Sequence, residues 1–232
     1  MRLGKRLRQL DGMITDGYDH IWDCCCDHGF LGAALYNRGA AQNIHFVDIV
    51  PELIQELRTK LHRYTQPNNP LNSQWHTHCL DVAKLPLTHF TGKHLLVIAG
   101  VGGDLSAELV ESICAAHPHL ELEFLLCPVR QQFLLRQQLI ELECTLLEEV
   151  LISENQRYYE VLHVQKPTLS GLSSKGQEQP VHMVGEALWH ATTQEHANHL
   201  QTYLANTLRH HQAAGNQAAV AAYSAVRITH NE

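Results

Sequence analysis

Apolar and polar positions along the chain alternate between short, nearly unbroken apolar runs and longer amphipathic ones. HIWDCCC (20–26) is a short run that predicts a strand ending in a glycine-containing turn, and FLGAALYNRG then predicts a helix stopped at Gly39. NIHFVDI (43–49) predicts the second strand. Pro51 suits the first turn of the next helix, with Leu53, Leu57, Leu61 and Tyr64 recurring on one face. QPNNPLNS (66–73) predicts a loop and QWHTHCL a weaker strand. KHLLVIAG (93–100) is the clearest buried strand, followed by a helix marked by Leu105, Leu109 and Ile113. LELEFLLCP (120–128) repeats the pattern, with Leu135, Leu139 and Leu142 on its helix. TLLEEVLIS and RYYEVLHVQ follow with no helix between them, so they predict an antiparallel pair.

Near-continuous apolar strands joined by helical crossovers predict an α/β fold: a parallel sheet covered on both faces, made mixed by the terminal antiparallel pair. The domain is placed at residues 1–165. KPTLSGLSSKGQEQP (166–180) is polar and rich in Gly, Ser and Pro, and reads as a linker. Residues 181–232 read as a helical appendage: one helix over 184–212 carrying Leu188, Leu200, Tyr203, Leu204 and Leu208, a break at Gly215-Asn216, and a second helix over 218–228. Together these form an αα-hairpin.

Composition narrows the class. Of the 232 residues, 44% are hydrophobic and 18% charged, and no apolar run approaches the roughly 20 residues that span a bilayer, so no membrane association is expected. The basic N-terminus is not followed by the apolar core of a secretory signal. Seven cysteines without a spaced framework point to a reducing, cytoplasmic compartment. The net charge of −7 does not advertise nucleic acid, yet Arg2, Lys5, Arg6 and Arg8 put four positive charges in the first ten residues. On a helix, Leu3, Leu7 and Leu10 would face the domain and these four cations would face outward. Oligomeric state is not encoded in any of these features.

In an open α/β sheet, ligands bind at the carboxyl ends of the strands, where strand order reverses. Asp23, Asp27, His28 and Gly29 follow the first strand, Asp48 ends the second, Asp81 follows the third, and AGVGGD (99–104) follows the fourth. Asp48 lies 21 positions past Asp27, a separation at which an acid can accept hydrogen bonds from both hydroxyls of a ribose. It could equally cap the helix beginning near Pro51. Gly100, Gly102 and Gly103 admit close backbone approach to a ligand, or simply a tight turn. Cys24, Cys26, Asp27 and His28 are metal-ligand types, but neighbours along a strand point to opposite faces and no second Cys/His pair has ligand spacing, so no metal is expected. There is no CxxC, and Cys24, Cys25 and Cys26 read as small apolar residues ending the first strand.

With KRLRQLDGMI at the start, DCCCDHGFL, VDIVPELIQEL, VIAGVGGDL and RYYEVLHV, the chain resembles class I S-adenosylmethionine-dependent methyltransferases. More narrowly, it resembles the bacterial TrmK family, which methylates N1 of adenine 22 in tRNA. The resemblance covers about residues 5–165 and, more loosely, the tail. It implies a Rossmann-like, seven-stranded mixed sheet with a C-terminal helical hairpin, S-adenosyl-L-methionine as cofactor and tRNA as partner. Asp23, Asp27, His28 and Gly29 would line the methionine side, and Asp48 with Ile49 the ribose. Asp81 and Val82 would face the adenine ring, and Gly100, Val101, Gly102 and Gly103 would form the floor where donor and target meet. Arg2, Lys5, Arg6 and Arg8 would grip the tRNA backbone, with the tail as a second contact. Asp27 is the candidate group for stabilising charge on the base. Two departures stand out. Cys25 occupies the first glycine position of the motif, where a β-region backbone would accommodate it. Val129 follows Pro128 where the family tends to carry asparagine, so an amide contact is missing. A methyltransferase acting on a small molecule or protein, favoured by the acidic balance, and a weakened cofactor-binding adaptor remain alternatives.

Overall fold

Strands form where apolar residues run without interruption, and helices where they recur every three to four positions. In the computed structural model, residues 3–64, 73–168 and 179–230 are described. The loop expected at 66–73 lies outside them except for Ser73, and so does most of the expected linker. Strands β1 (Tyr18–Cys24), β2 (Ala41–Asp48), β3 (Gln74–Cys79), β4 (His94–Ala99) and β5 (Leu122–Cys127) are parallel. β6 (Thr145–Glu154) and β7 (Arg157–Lys166) form the expected antiparallel pair, and β7 also runs antiparallel to β5. The order is β3-β2-β1-β4-β5-β7-β6-β8. The eighth strand, β8 (Gln179–Pro180), pairs with the start of β6 and extends the seven-stranded sheet expected from the sequence. Its two residues end the segment read as a linker. Strand order reverses between β1 and β4, which opens a cleft at their carboxyl ends.

Helices cover both faces. On one, α1 (Lys5–Met13), α2 (Phe30–Arg38) and α3 (Pro51–Tyr64) bury Leu10, Leu35 and Leu57 against Ile21, Phe46 and Val97. On the other, α4 (Gly103–Ala116) and α5 (Gln132–Glu141) bury Val110, Ile113 and Leu135 against Trp22, Leu96 and Phe124. The tail packs as its own cluster, in which α6 (Gln194–Ala213) and α7 (Gln217–Ser224) enclose Leu200, Tyr203 and Tyr223. α6 starts ten residues later than the periodicity predicts. Leu188 and Trp189 are buried in a 3-10 turn, β9 (His190–Ala191) pairs with β10 (Thr229–His230), and only then does the Thr193 hydroxyl cap the helix by accepting from the His196 amide at 3.1 Å.

The tail is tied to the sheet by a buried ionic junction. Arg136 of α5, fully buried, donates to Glu149 Oε2 at 2.7 Å, Glu160 Oε2 at 2.8 Å and the His182 carbonyl at 3.0 Å. Glu149 Oε1 accepts from the amides of Glu186 and Ala187, and Glu160 accepts from the Tyr203 hydroxyl. Every charge is paired and hydrogen-bonded, which is the condition for burying it at tolerable cost.

A histidine chain crosses β1, β2 and β3 on the α4 side. His20 Nε2 lies 3.2 Å from the Thr91 carbonyl, His20 Nδ1 3.0 Å from His45 Nε2, and His45 Nδ1 2.9 Å from His78 Nε2. The Thr91 oxygen can only accept, so His20 is protonated at Nε2 and its Nδ1 accepts from His45. The same logic makes His78 the donor to His45. His94 fits this pattern: its Nδ1 accepts from the Trp22 indole at 3.1 Å and its Nε2 donates to the Phe90 carbonyl. All four are neutral Nε2–H tautomers. Burial, reinforced by the neighbouring imidazoles, pushes His45 down to about 2 and His94 down to about 4.

Candidate active site

The loop after β1 is built on left-handed backbone. Cys25 has φ 54°, Asp27 φ 48° and Gly29 φ 66°. Gly29 is required twice over, because a Cβ there would lie 2.7 Å from Leu57. Cys25 is therefore not accommodated by a β-region backbone, as the sequence reading supposes. The peptide must turn back so that the Cys26 amide meets the Val47 carbonyl at 3.0 Å and the Gly29 amide the Cys26 carbonyl at 2.7 Å. An L-residue held in this region costs about 1–2 kcal/mol.

Asp48 organises the other side of the cleft. Its Oδ2 accepts from the Asp27 amide at 3.1 Å and its Oδ1 from the Val50 amide at 3.0 Å, which is the capping reading of Asp48. It caps the turn into α3 and fixes the β1 loop, and a carboxylate with roughly four acceptor positions retains about two for a ligand. Ile49, 66% exposed, presents an aliphatic side chain beside it. Asp27 and His28 project into solvent with Oδ1 and Nδ1 3.7 Å apart. Asp23 does not line the surface. It lies beneath α2, 6% exposed, with Oδ2 accepting from the Gly32 amide at 2.8 Å. Burial, aided by the charge of Asp48, pushes its carboxyl up to about 7.

Beyond β3, Asp81 accepts from the Ala83 amide at 3.0 Å and caps a 3-10 turn, while the Val82 side chain is in the core. Of the glycines after β4, Gly103 answers to structure: a Cβ there would meet the Gln131 carbonyl at 2.2 Å. Gly102 precedes α4 in extended conformation, and Val101 accepts from the Val129 amide at 2.9 Å. Gly100, at φ 90°, has only the Arg6 guanidinium within 4 Å of its missing Cβ. Val129, where the expected amide is missing, is 41% exposed at the end of β5.

The three thiols of the first loop are held neutral. Burial pushes Cys25 up to about 11, with Asp48, Asp23 and Asp81 adding to it, and raises Cys24 and Cys26 as well. Such thiols are poor nucleophiles. Among the described residues no three His, Cys, Asp or Glu side chains are placed to hold a metal ion.

The basic N-terminal residues divide. Arg2 lies outside the described residues. Lys5 and Arg8 are exposed, whereas Arg6 is half-buried with its guanidinium 5.1 Å from the centre of the Tyr159 ring, beside the Cys127 thiol. Arg6 therefore turns inward over the carboxyl ends of β4 and β5 and the amino end of the antiparallel β7, not outward as the leucine stripe suggests. The spacing of Leu3, Arg6 and Leu10 carries that signal, since positions i, i+3 and i+7 share one helical face.

The arrangement at the carboxyl edge is one carboxylate with spare acceptor capacity, an exposed aliphatic surface, a glycine that leaves space, and a cation. That set fits a nucleoside with an anionic or zwitterionic extension. Residues 3–162 match the family model described as a methyltransferase domain. No curated protein sequence matches the chain. Among solved structures, the chain superposes on M. capricolum TrmK in complex with its natural cofactor product S-adenosyl-homocysteine, at 15% identity over 90% of this chain and 87% of that one, with a TM-score of 0.67. The B. subtilis m1A22 tRNA methyltransferase TrmK aligns at 21% identity over 75% of this chain and 72% of that one, TM-score 0.56. Streptococcus pneumoniae Sp1610 in complex with S-adenosyl-L-methionine aligns at 21% identity over 75% and 77%, TM-score 0.60. At these identities the superpositions establish a shared fold, and because the family match spans more than half of the chain, the protein belongs to the methyltransferase-domain family.

Proposed function

We propose that this protein is an S-adenosyl-L-methionine-dependent methyltransferase that modifies N1 of an adenine in tRNA, at position 22. The observation that carries the cofactor is Asp48. It is anchored by two backbone amides, retains acceptor capacity at the end of β2, one strand from the switch point, and is flanked by the exposed Ile49. The substrate rests on the likeness to the TrmK structures and on the sequence motifs that resemble that family. S-adenosyl-L-methionine, when bound, supplies an electrophilic methyl group on a sulfonium.

Asp48 holds the ribose hydroxyls, and Ile49 offers an aliphatic surface to the flat ring. Gly100 leaves room for the donor's extension, and Cys25 narrows the space over the first loop. Adenine N1 carries an in-plane lone pair and needs no proton removed, so the protein's main contribution is placement, which supplies up to roughly 7–11 kcal/mol. Asp27, exposed beside the cleft, is positioned to meet positive charge developing on the base or to accept an N6 proton. The base must leave its stack to reach the site, at a cost of a few kcal/mol. Lys5 and Arg8, exposed on α1, are available to the phosphate backbone.

The test is methyl transfer from labelled donor to tRNA transcripts carrying adenine or guanine at position 22. Incorporation only with adenine supports the assignment, and incorporation independent of that base rejects it. The net charge of −7 favours a second reading, a methyltransferase for a small molecule or protein. That reading predicts cofactor binding by calorimetry with no tRNA methylation.

A further inference from the structure

The proposed reading leaves one cation at the cleft without a task. Arg6 forms no ion pair among the described residues, although it is half-buried, and an unpaired charge in such a place is costly unless something arrives to meet it. Its surroundings define how it could be met. Tyr159 covers one face of the guanidinium and the Cys127 thiol meets one of its N–H groups, which leaves the other N–H groups in the plane as the donors on offer. Nη1 and Nη2 lie 3.8 and 3.9 Å from the point where a Gly100 Cβ would be. Both terminal nitrogens thus border the space left open by that glycine. Two such nitrogens are what arginine uses to take a carboxylate with two parallel hydrogen bonds.

The location agrees with the geometry. Asp48 ends β2 and Gly100 follows β4, with only β1 between them, so the two are separated by two strand spacings, about 10 Å. A ligand whose ribose is held at Asp48 and whose extension runs across the switch point brings the end of that extension over Gly100. The chemical group to be expected at the end of an amino-acid extension is a carboxylate. We infer that Arg6 is a cofactor-binding residue that takes the α-carboxylate of the methyl donor's amino-acid tail, in place of the phosphate contact its position in a basic N-terminal helix suggests. Docked this way, α1 becomes one wall of the donor site, and Tyr159 of β7 is the support that orients the fork.

The inference rests on the proposed cofactor, and the test separates the two. Three ligands are titrated calorimetrically into the wild-type protein and Arg6→Met: S-adenosylhomocysteine, its decarboxylated analogue, and 5′-methylthioadenosine, which has the nucleoside without the amino-acid tail. The wild type is expected to prefer S-adenosylhomocysteine over the decarboxylated analogue by 10-fold or more. That preference should vanish in Arg6→Met, while 5′-methylthioadenosine binds both proteins within 2-fold. If the wild type binds none of the three, the cofactor reading itself fails. If the preference for the carboxylate persists in Arg6→Met, or if the wild type shows no such preference, the Arg6 assignment is overturned. The wild-type comparison needs no variant to fold, and matched melting curves check Arg6→Met. Unchanged S-adenosylhomocysteine binding with weakened tRNA binding in Arg6→Met would return Arg6 to the RNA and also defeat the inference.

Discussion

Substituting Cys25 by glycine and by alanine reads the conformation of the first loop through stability. At φ 54°, a residue with a Cβ carries about 1–2 kcal/mol of strain that glycine does not. Glycine in turn loses about 0.5–1 kcal/mol through the extra freedom of its unfolded chain. Alanine keeps the strain and loses the thiol, so the thiol's burial cancels in the comparison of the two variants. Cys25→Gly should therefore be more stable than Cys25→Ala by about 0.5–1 kcal/mol. If the loop were in the β or right-handed region, the order would reverse by a similar amount. Urea unfolding of both variants, with a common slope, resolves a gap of this size. The thiol also stands among Asp48, Asp23 and Asp81, beside the site proposed for the donor. S-adenosylhomocysteine should bind Cys25→Gly more tightly than wild type by calorimetry. Alanine proving more stable than glycine would refute the strained-loop argument.

Asp48→Asn keeps the shape but removes the charge; the lost charge-assisted bonds, roughly 1.5–3 kcal/mol each, should weaken S-adenosylhomocysteine at least tenfold in a titration, and unchanged affinity would remove Asp48 from the site. Arg136→Met leaves Glu149 and Glu160 buried without their cation and should cost about 3–5 kcal/mol in chemical unfolding; a loss under about 1 kcal/mol would contradict the junction. The pH dependence has two opposing parts. His45 and His94 have folded pKa values depressed below 6.5, so their contribution is complete above that pH and is lost as pH falls. Between pH 7.5 and 5.5 the two together lose about 3 kcal/mol. Asp23 is raised from 3.8 to about 7, so its ionisation destabilises the fold above pH 7 and acidification relieves about 2 kcal/mol over the same interval. Asp23→Asn lacks that relief and should lose more stability on acidification than wild type; parallel pH–stability curves would contradict the shift assigned to Asp23.

The parallel sheet, its terminal antiparallel pair and the acids at strand ends were legible in the sequence because each follows from periodicity within a single segment. β8 and the late start of α6 were not, since two-residue strands carry no period and Trp189 is held by tertiary packing. The glycines after β4 show how composition misleads. Gly100 and Gly103 look alike in AGVGGD, yet one faces open space and the other is pressed against the Gln131 backbone, a contact set by the loop after β5.

The histidines make the same point about register. Alternation in HIW, NIH and HTH predicts that His20, His45 and His76 each lie on one face of a strand. It does not say which strands adjoin, or that Trp22 pairs with His45 and His45 with His76. A shift of one residue in β2 would have turned His45 toward α2 and α3 and dissolved the chain. The hydrogen-bond chain in turn fits this register, which sets the neutral His45 imidazole between an acceptor, His20 Nδ1, and a donor, His78 Nε2. The same register sets Asp48 opposite Cys79 at the end of the sheet and puts its carboxylate within reach of the Asp27 amide. The histidine face and the candidate site thus depend on one alignment of β2, and a substitution that loosens the chain, such as His45→Ala, acts on the position of Asp48 through the strand they share.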